Sequence, residues 1–207
     1  TMKHFKHLLF LSILCSLVLF TNCGEDEDDA TVASFTGSIG DDYQGGIVYY
    51  LFQEGDSGYV AGEIHGLISA AEDQSTEDGA VWGCSETEVS GADGTAVGTG
   101  AQNTLDILAG CSEDGIAAKL ASDYEITLDG VTYNDWFLPS KDELNLLYLN
   151  KDLIDQVDFE NCLLLLCSYS SSSQYSGNGS WVQNFNVGYQ VDNDVDEANR
   201  VRAVRAF

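Results

Sequence analysis

The chain has 207 residues, 44% of them hydrophobic, and sets 34 Asp and Glu against eight Lys and Arg, a formal net charge of −26. That length supports one core of respectable size and leaves little room for a second full domain. So acidic a surface repels phosphate backbones, which excludes nucleic acid as a partner, while divalent cations could screen the domain or bridge it to other acidic polymers.

The first 22 residues read as an export signal. Lys3 and Lys6 precede residues 8–20, thirteen mostly apolar positions. As a helix these rise roughly 20 Å, short of the roughly 30 Å hydrocarbon core, so a signal peptide is expected rather than a permanent span. The segment closes on Phe20-Thr21-Asn22-Cys23-Gly24, which resembles a bacterial lipobox with Cys23 as the lipidated residue. Phe20 and Asn22 depart from the usual residues, so ordinary cleavage with a free Cys23 stays open. Five acids follow, Glu25 to Asp29. They cannot bury together, and residues 23–40 read as an acidic flexible tether. Acids directly after a lipidated cysteine also resemble the export signal of Bacteroidota lipoproteins. The expected address is the outer membrane, exposed on the cell surface, with a periplasm-facing anchor as the alternative. The lipid is the only membrane contact expected. Removing residues 1–22 takes two bases and no acid, so the net charge becomes −28.

An ordered domain is expected from residue 41 to 207. Residues 44–52 are β-branched and aromatic, residues 53–58 are turn material, and residues 59–61 resume, which predicts a hairpin. Residues 66–71 form a short buried run. Residues 102–108 and 115–122 carry helical spacing, with Leu105 and Leu108 on one face and Ile116, Ala117, Leu120 and Ala121 on another. Asp129-Gly130 is a type I′ turn dipeptide between residues 126–128 and 131–133. In residues 135–150, Pro139 ends an aromatic-apolar run, and Ser140 with Glu143 three places on spells a capping box before Leu144, Leu147 and Tyr148. Residues 151–157 allow another helical turn or two. Residues 162–169, 181–185, 189–191 and 201–207 are strand-like, and the Ser- and Gly-rich residues 168–179 read as a loop. Arg202 and Arg205 in the last strand call for nearby carboxylates. The sum is α+β, short antiparallel strands with two main helices and long loops.

Beyond Cys15 and Cys23 the chain has Cys84, Cys111, Cys162 and Cys167. An even number in an exported chain favours disulfides, and three connectivities are open. Cys84 with Cys111 and Cys162 with Cys167 is the expected set, because the first pair closes a Gly-rich excursion with little apolar content of its own. Such a closure is worth roughly 3 to 4 kcal/mol.

Several motifs, Gly45-Gly46-Ile47-Val48-Tyr49-Tyr50, His65-Gly66-Leu67-Ile68, Trp82-Gly83, residues 98–104, Asp135-Trp136-Phe137-Leu138-Pro139-Ser140, Tyr169-Ser170-Ser171-Ser172 and residues 201–205, occur in an order that resembles the Lcl C-terminal domain family, named for a Legionella collagen-like adhesin. The resemblance covers residues 41–207. It implies a C-type lectin-like fold with the first and last strands paired, and a binding role as an adhesin or an accessory that takes an extracellular glycan or surface protein. Where the family usually reads Tyr-Trp-Ser-Ser-Ser this chain has Tyr169 followed by four serines, which loses an aromatic.

Against that frame Trp181, Gln183 and Asn184 are candidate ligand-binding residues, at the place where a sugar-binding lectin positions calcium ligands; the alternative is that Trp181 and Phe185 are core and the carboxamides satisfy backbone groups. Asp192, Asp194 and Asp196 alternate as an EF-hand loop begins, so Ca2+ is the candidate ion, but the glycine at the sixth position and the glutamate at the twelfth are missing, and a solvated acidic turn is the other reading. Cys162 and Cys167 invite comparison with formylglycine-generating oxidases, yet four leucines between them disfavour a reactive thiolate. His65 is the only histidine after residue 22, so it has no imidazole partner for zinc or a nucleophile. No catalytic residue and no resident cofactor are expected; a structural envelope protein bridged by divalent cations is the alternative to a binding module.

Overall fold

The computed structural model describes residues 35–154 and 167–207. The expected signal segment, Cys23, the acid run, most of the tether and Cys162 lie outside the described residues. The described residues belong to one compact unit, Ser34–Phe207. The architecture is α+β. In chain order it runs β1 (Asp42–Tyr43), β2 (Gly46–Leu51), β3 (Gly66–Ser69), α1 (Gly100–Gly110), α2 (Ala117–Ser122), β4 (Ile126–Leu128), β5 (Val131–Tyr133), α3 (Lys141–Leu149), β6 (Ser168–Ser176), β7 (Gly179–Asn184), β8 (Gln190–Asp194) and β9 (Val204–Ala206). The third helix, α2, is a turn and a half beside α1. Among these residues no helix is long and apolar enough to cross a membrane.

One sheet has the order β1-β2-β3-β9. β1 and β2 meet through Gln44 and Gly45, both at positive φ (46° and 90°), as a two-residue I′ turn requires. The partner of β2 is β3, in register Ile47↔Ser69 and Val48↔Ile68, not residues 59–61. Tyr59 and Val60 instead stay 40% and 43% exposed in a long connection; they have no face to bury there. This sheet is covered on both sides. Val48 and Ile68 join one core cluster, centred on Trp82, Ile107, Ile116 and Leu138, while Ile47, Tyr49, Leu67 and Val204 join a second with Leu144, Leu147, Tyr169 and Phe185. Two-sided burial explains why residues 47–51 read as a continuous apolar run rather than an alternation.

The last strand pairs with β3, not with the first strand as the resemblance implies. The ends of the domain meet through rings instead: Phe35 lies 4.8 Å from Tyr43 and 5.1 Å from Phe207, centroid to centroid. Phe35 is 7% exposed, so packing begins before residue 41, inside the stretch read as tether.

The Ser140 capping box forms as read. Ser140 Oγ accepts the Glu143 N–H, and Glu143 Oε2 accepts the Ser140 N–H at 2.7 Å. The β4–β5 hairpin turns at Asp129 and Gly130, both at positive φ. On α1 the buried face is Asn103, Thr104 and Ile107, whereas Leu105 is 60% exposed. The apolar spacing holds for Leu108, which packs half-buried against the core, and fails for Leu105, because this helix packs polar groups inward. Asn103 Nδ2 donates to Gly94 O at 2.6 Å, and Thr104 Oγ1 donates to Gly100 O at 2.8 Å.

Cys84 and Cys111 form a disulfide, closing the Gly-rich excursion. Replacing both by serine removes about 3 kcal/mol by the loop-closure argument, readable as a lower urea midpoint with an altered m-value; an unchanged midpoint would mean the excursion is held by its other contacts. Cys167 is disulfide-bonded and fully buried.

The largest departure is residues 168–179. The stretch read as a loop is mostly the strand β6, and residues 170–174 are buried. Both edges of β6 are occupied. β7 pairs along one, while on the other Ser170, Ser172 and Gln174 N–H groups donate to Arg200, Pro139 and Ala92 carbonyls. Two of the serine hydroxyls are satisfied inside the fold: Ser171 Oγ donates to Trp181 O and Ser173 Oγ to Gly94 O. Small side chains with internal partners let two layers close tightly over a strand that carries little apolar area.

Candidate functional site

The sheet β6-β7-β8 decides which side chains reach solvent. β7 and β8 pair as Ser180↔Asn193, Trp181↔Asp192, Val182↔Val191 and Gln183↔Gln190. Paired residues share a face, so Trp181, Gln183, Gln190 and Asp192 look one way, and Val182, Val191 and Asn193 look the other.

The first face is taken by α3. Lys141 Nζ sits 3.6 Å from the Trp181 ring centroid, and Tyr175 meets the same ring edge-on at 5.3 Å. Gln190 Nε2 donates to Lys141 O at 2.7 Å. Gln183 is fully buried; its Nε2 donates to Gly188 O and Asn145 Oδ1. Asn184 is 1% exposed and its Oδ1 accepts the N–H groups of Asn186 and Val187. Of the three candidates only half-buried Trp181 touches solvent. Gln183 and Asn184 bind backbone groups of the 185–189 turn, the second of the two roles their sequence offered.

Asp192, Asp194 and Asp196 are exposed. Between them Val195 is fully buried, and its carbonyl accepts the Trp82 and Gly83 N–H groups. The segment is therefore a strand end and a turn pinned by a core residue, with the Asp196 N–H directed to Asp194 Oδ1 at 3.4 Å. The three carboxylates are not drawn together. Among the described residues, one trio brings ligand-type atoms within 4.8 Å of one another, Cys84, Cys111 and Glu113. Two of those are sulfurs of the disulfide, and Glu113 Oε2 accepts the Cys84 N–H at 3.2 Å, so no thiolate is offered to an ion.

On the opposite face lies a cleft of about 270 Å³. Ser168, Val182, Val191 and Asn193 form its floor, Tyr189 stands at one end, and residues 77–79 and 197–200 form its wall. Tyr189 is 50% exposed. Asn193 Nδ2 reaches Asn199 Oδ1 at 3.5 Å, and Asn199 Nδ2 donates to Glu197 O at 3.0 Å. Arg200 is anchored behind the wall by Asp73, which takes Arg200 Nη1 at 3.0 Å, Arg202 Nη2 at 2.6 Å and the Tyr169 hydroxyl at 3.1 Å. Burial and Asp73 push the Tyr169 hydroxyl up to about 12. Burial disfavours the charge on Arg200, but its bonds to Asp73 and Tyr169 outweigh that and raise its pKa.

A wider opening of about 450 Å³ lies between residues 88–93 and the end of β6. Its carboxamide is committed: Gln174 Oε1 accepts the Val89 N–H and Nε2 donates to Thr87 O, each at 2.7 Å. It is loops packing on themselves.

Trp181 and Gln183 lie on the other face of the same sheet from this cleft, whose Tyr189, Asn193, Asn199 and Glu197 are not among the sequence's site candidates. Alternation in β7 and β8 separates the faces, but only the position of α3 decides which is covered.

His65 closes the other end of the domain. Its Nδ1 is 3.0 Å from Phe207 O and its Nε2 2.9 Å from Glu63 Oε2. The Glu63 bond first, then the Phe207 carbonyl, raise its pKa above 6.5 against a small opposing effect of burial. The imidazolium form is therefore favoured by the fold, and this contact is strongest below pH 6.5 and weakens as pH rises through the folded value. NMR titration of the His65 ring should give a pKa above 6.5 that falls in Glu63→Gln; a value at or below 6.5 would contradict the clamp.

The fold and this cleft define an α+β domain with a small polar recess on one sheet face. No family model matches the chain, and neither does any curated protein.

Proposed function

We propose that the chain is a lipid-anchored, non-catalytic binding module of the cell envelope, of Lcl C-terminal type with a C-type lectin-like fold, displayed on the outer membrane and taking a hydroxyl-rich glycan in the β6-β7-β8 cleft. The observation that carries this reading is the cleft itself. It gathers a half-exposed aromatic ring, two carboxamides, a serine hydroxyl and carboxylates around about 270 Å³, the mixture of an apolar platform and oriented polar groups that small-ligand sites use. The run of motifs from Gly45 to Arg205 supports the family, and the lipobox-like Cys23 supports the address.

The test is calorimetry of the full chain in detergent against a panel of oligosaccharides, with and without calcium. A ligand that stacks on Tyr189 should weaken about tenfold in Tyr189→Ala, about 1.4 kcal/mol, at unchanged melting temperature. No binding by any glycan, or binding indifferent to Tyr189, would overturn the reading.

A further inference from the structure

Cys84, Cys111 and Glu113 are the one trio among the described residues whose ligand-type atoms lie within 4.8 Å of one another. While the bridge stands its sulfurs carry no charge. Once it is opened, the same sulfurs are thiols that lose their protons to a metal, beside a carboxylate, a donor set suited to Zn2+. Local bonds keep the donors in place without the S–S bond. The Trp82 and Gly83 N–H groups donate to Val195 O at 3.0 and 3.3 Å, which pins the chain just before Cys84. The Cys111 N–H donates to Ile107 O at 2.8 Å, so that sulfur rides on the last turn of α1. Glu113 Oε2 accepts the Cys84 N–H at 3.2 Å, which ties the carboxylate to another donor's backbone and orients it. No side chain of residue 83 stands between them: Gly83 is at φ 101°, and a Cβ there would lie 3.3 Å from both Cys111 Sγ and Glu113 Oε2. The Cα–Cα separation of 5.7 Å leaves room for two sulfurs each about 2.3 Å from a common ion.

We infer that this trio is a zinc site gated by its own bridge: a dithiol opens Cys84–Cys111, and the two thiolates with Glu113 then hold Zn2+, water taking the fourth position. Cys84 is half-buried and Cys111 is 3% exposed, so the incoming thiolate attacks Cys84 Sγ and expels Cys111. The second thiol of the reductant then attacks its own partner sulfur in the mixed disulfide and frees Cys84. Two electrons pass to the protein and the dithiol closes its own disulfide. Its two protons end on the cysteine sulfurs until the ion displaces them to water. A coordinate closure of residues 84–111 thereby replaces the covalent one. Calcium, which takes six to eight oxygens, is disfavoured by the sulfurs. Exposed Glu113 and half-buried Cys84 leave the fourth position open to solvent. None of the three lines the β6-β7-β8 cleft, so the site is independent of what that cleft takes.

The test is titration of the full chain in detergent with Co2+ and then Zn2+, after treatment with dithiothreitol and its removal without air. Reduced wild type should take up Co2+ with the intense visible bands and sulfur-to-metal charge transfer of a tetrahedral thiolate site, and Zn2+ should bleach them. The oxidised chain should show neither. Bound Zn2+ should shield Cys84 and Cys111 from alkylation by iodoacetamide, read peptide by peptide by mass spectrometry, which separates them from the chain's other cysteines. Cys84→Ser should remove the ion. Glu113→Gln, at an exposed position that leaves the bridge able to form, should weaken Zn2+ about tenfold or more. Zn2+ should also raise the melting temperature of the reduced wild type, since it binds the folded trio. A reduced chain without the cobalt bands, alkylation of Cys84 and Cys111 at equal rates with and without Zn2+, or a zinc affinity indifferent to Glu113→Gln would each overturn the assignment. Bands unchanged in Cys84→Ser would put the metal on other sulfurs and overturn it too.

Discussion

Asp73→Ala should lower the stability of this domain by about 3 to 5 kcal/mol, the range for removing one partner of a buried ion cluster. Asp73 is 12% exposed and takes Arg202, 1% exposed, and Arg200, 14% exposed. Arg202 also donates to Ala70 O at 3.0 Å, which ties the cluster to the end of β3. Without the carboxylate two guanidinium groups face one another in a poorly hydrated site. For a chain of this size that loss lowers the melting temperature by about 10 °C or more. Thermal and urea unfolding of Asp73→Ala and Asp73→Asn measures it. The triple variant Asp73→Leu with Arg200→Met and Arg202→Met should recover part of the loss, because an apolar set of similar volume leaves no unpaired charge. A change under about 1 kcal/mol for Asp73→Ala would show that water reaches the arginines and the cluster is a surface network instead.

Arg202 was legible in part. A chain with so few bases does not place two within four residues without carboxylates to hold them, and both have one, Arg202 in Asp73 and Arg205 in Asp135. The identity of Asp73 was not legible, since it is 129 residues away and sits in an acidic run like many others in this sequence. The same division recurs elsewhere. Features carried by short sequence patterns were readable, the Ser140 capping box and the Asp129-Gly130 turn, and the Cys84–Cys111 pair, 27 residues apart, followed from the even cysteine count and the Gly-rich excursion between them. Features set by what packs on top were not. Composition marks Ser170 to Ser173 as a loop, because serine competes for backbone bonds in isolation; inside the fold the Ser171 and Ser173 hydroxyls find partners in Trp181 and Gly94 and the strand survives. Leu105 and Leu108 offered an apolar stripe; Leu108 packs half-buried against the core, yet Leu105 stays exposed because Asn103 and Thr104 take the inward positions of α1. The cleft failed for a related reason: it is made where residues 77–79 and 197–200 cross a sheet face, and the Ala80↔Asn199 bridge that brings them together joins residues with no local signal.

Glu143 shows how a feature with a clear local reading can also do something the local reading does not contain. As the third helical residue of a capping box it needs only the Ser140 N–H, at 2.7 Å. Here it is fully buried, and its other oxygen accepts the Gly98 N–H at 2.7 Å. Gly100 adds a further backbone bond. One carboxylate thus joins the start of α3 to the start of α1. Gly100 has no room for a side chain: a Cβ there would lie 2.2 Å from Glu143 Oε2. Glu143→Ala leaves those N–H groups buried without an acceptor, and at about 1 to 3 kcal/mol for each such group the expected loss is about 3 to 5 kcal/mol. Glu143→Gln keeps one acceptor oxygen and turns an amide donor toward another donor, so it should fall between wild type and the alanine variant. The pH dependence has a definite sign. Burial raises the Glu143 pKa above the ordinary carboxylate value, and the Ser140, Gly98 and Gly100 bonds offset only part of that. The folded state therefore holds this proton more tightly than the unfolded chain does. The contribution of Glu143 is greatest below the unfolded carboxylate pKa of about 4.3 and declines as pH rises through the folded value. The difference in unfolding free energy between wild type and Glu143→Gln, followed from pH 3 to 8 by urea titration, should shrink as pH rises through that interval. A difference that grows with pH would mean the three N–H groups win over burial and the carboxylate is held ionised.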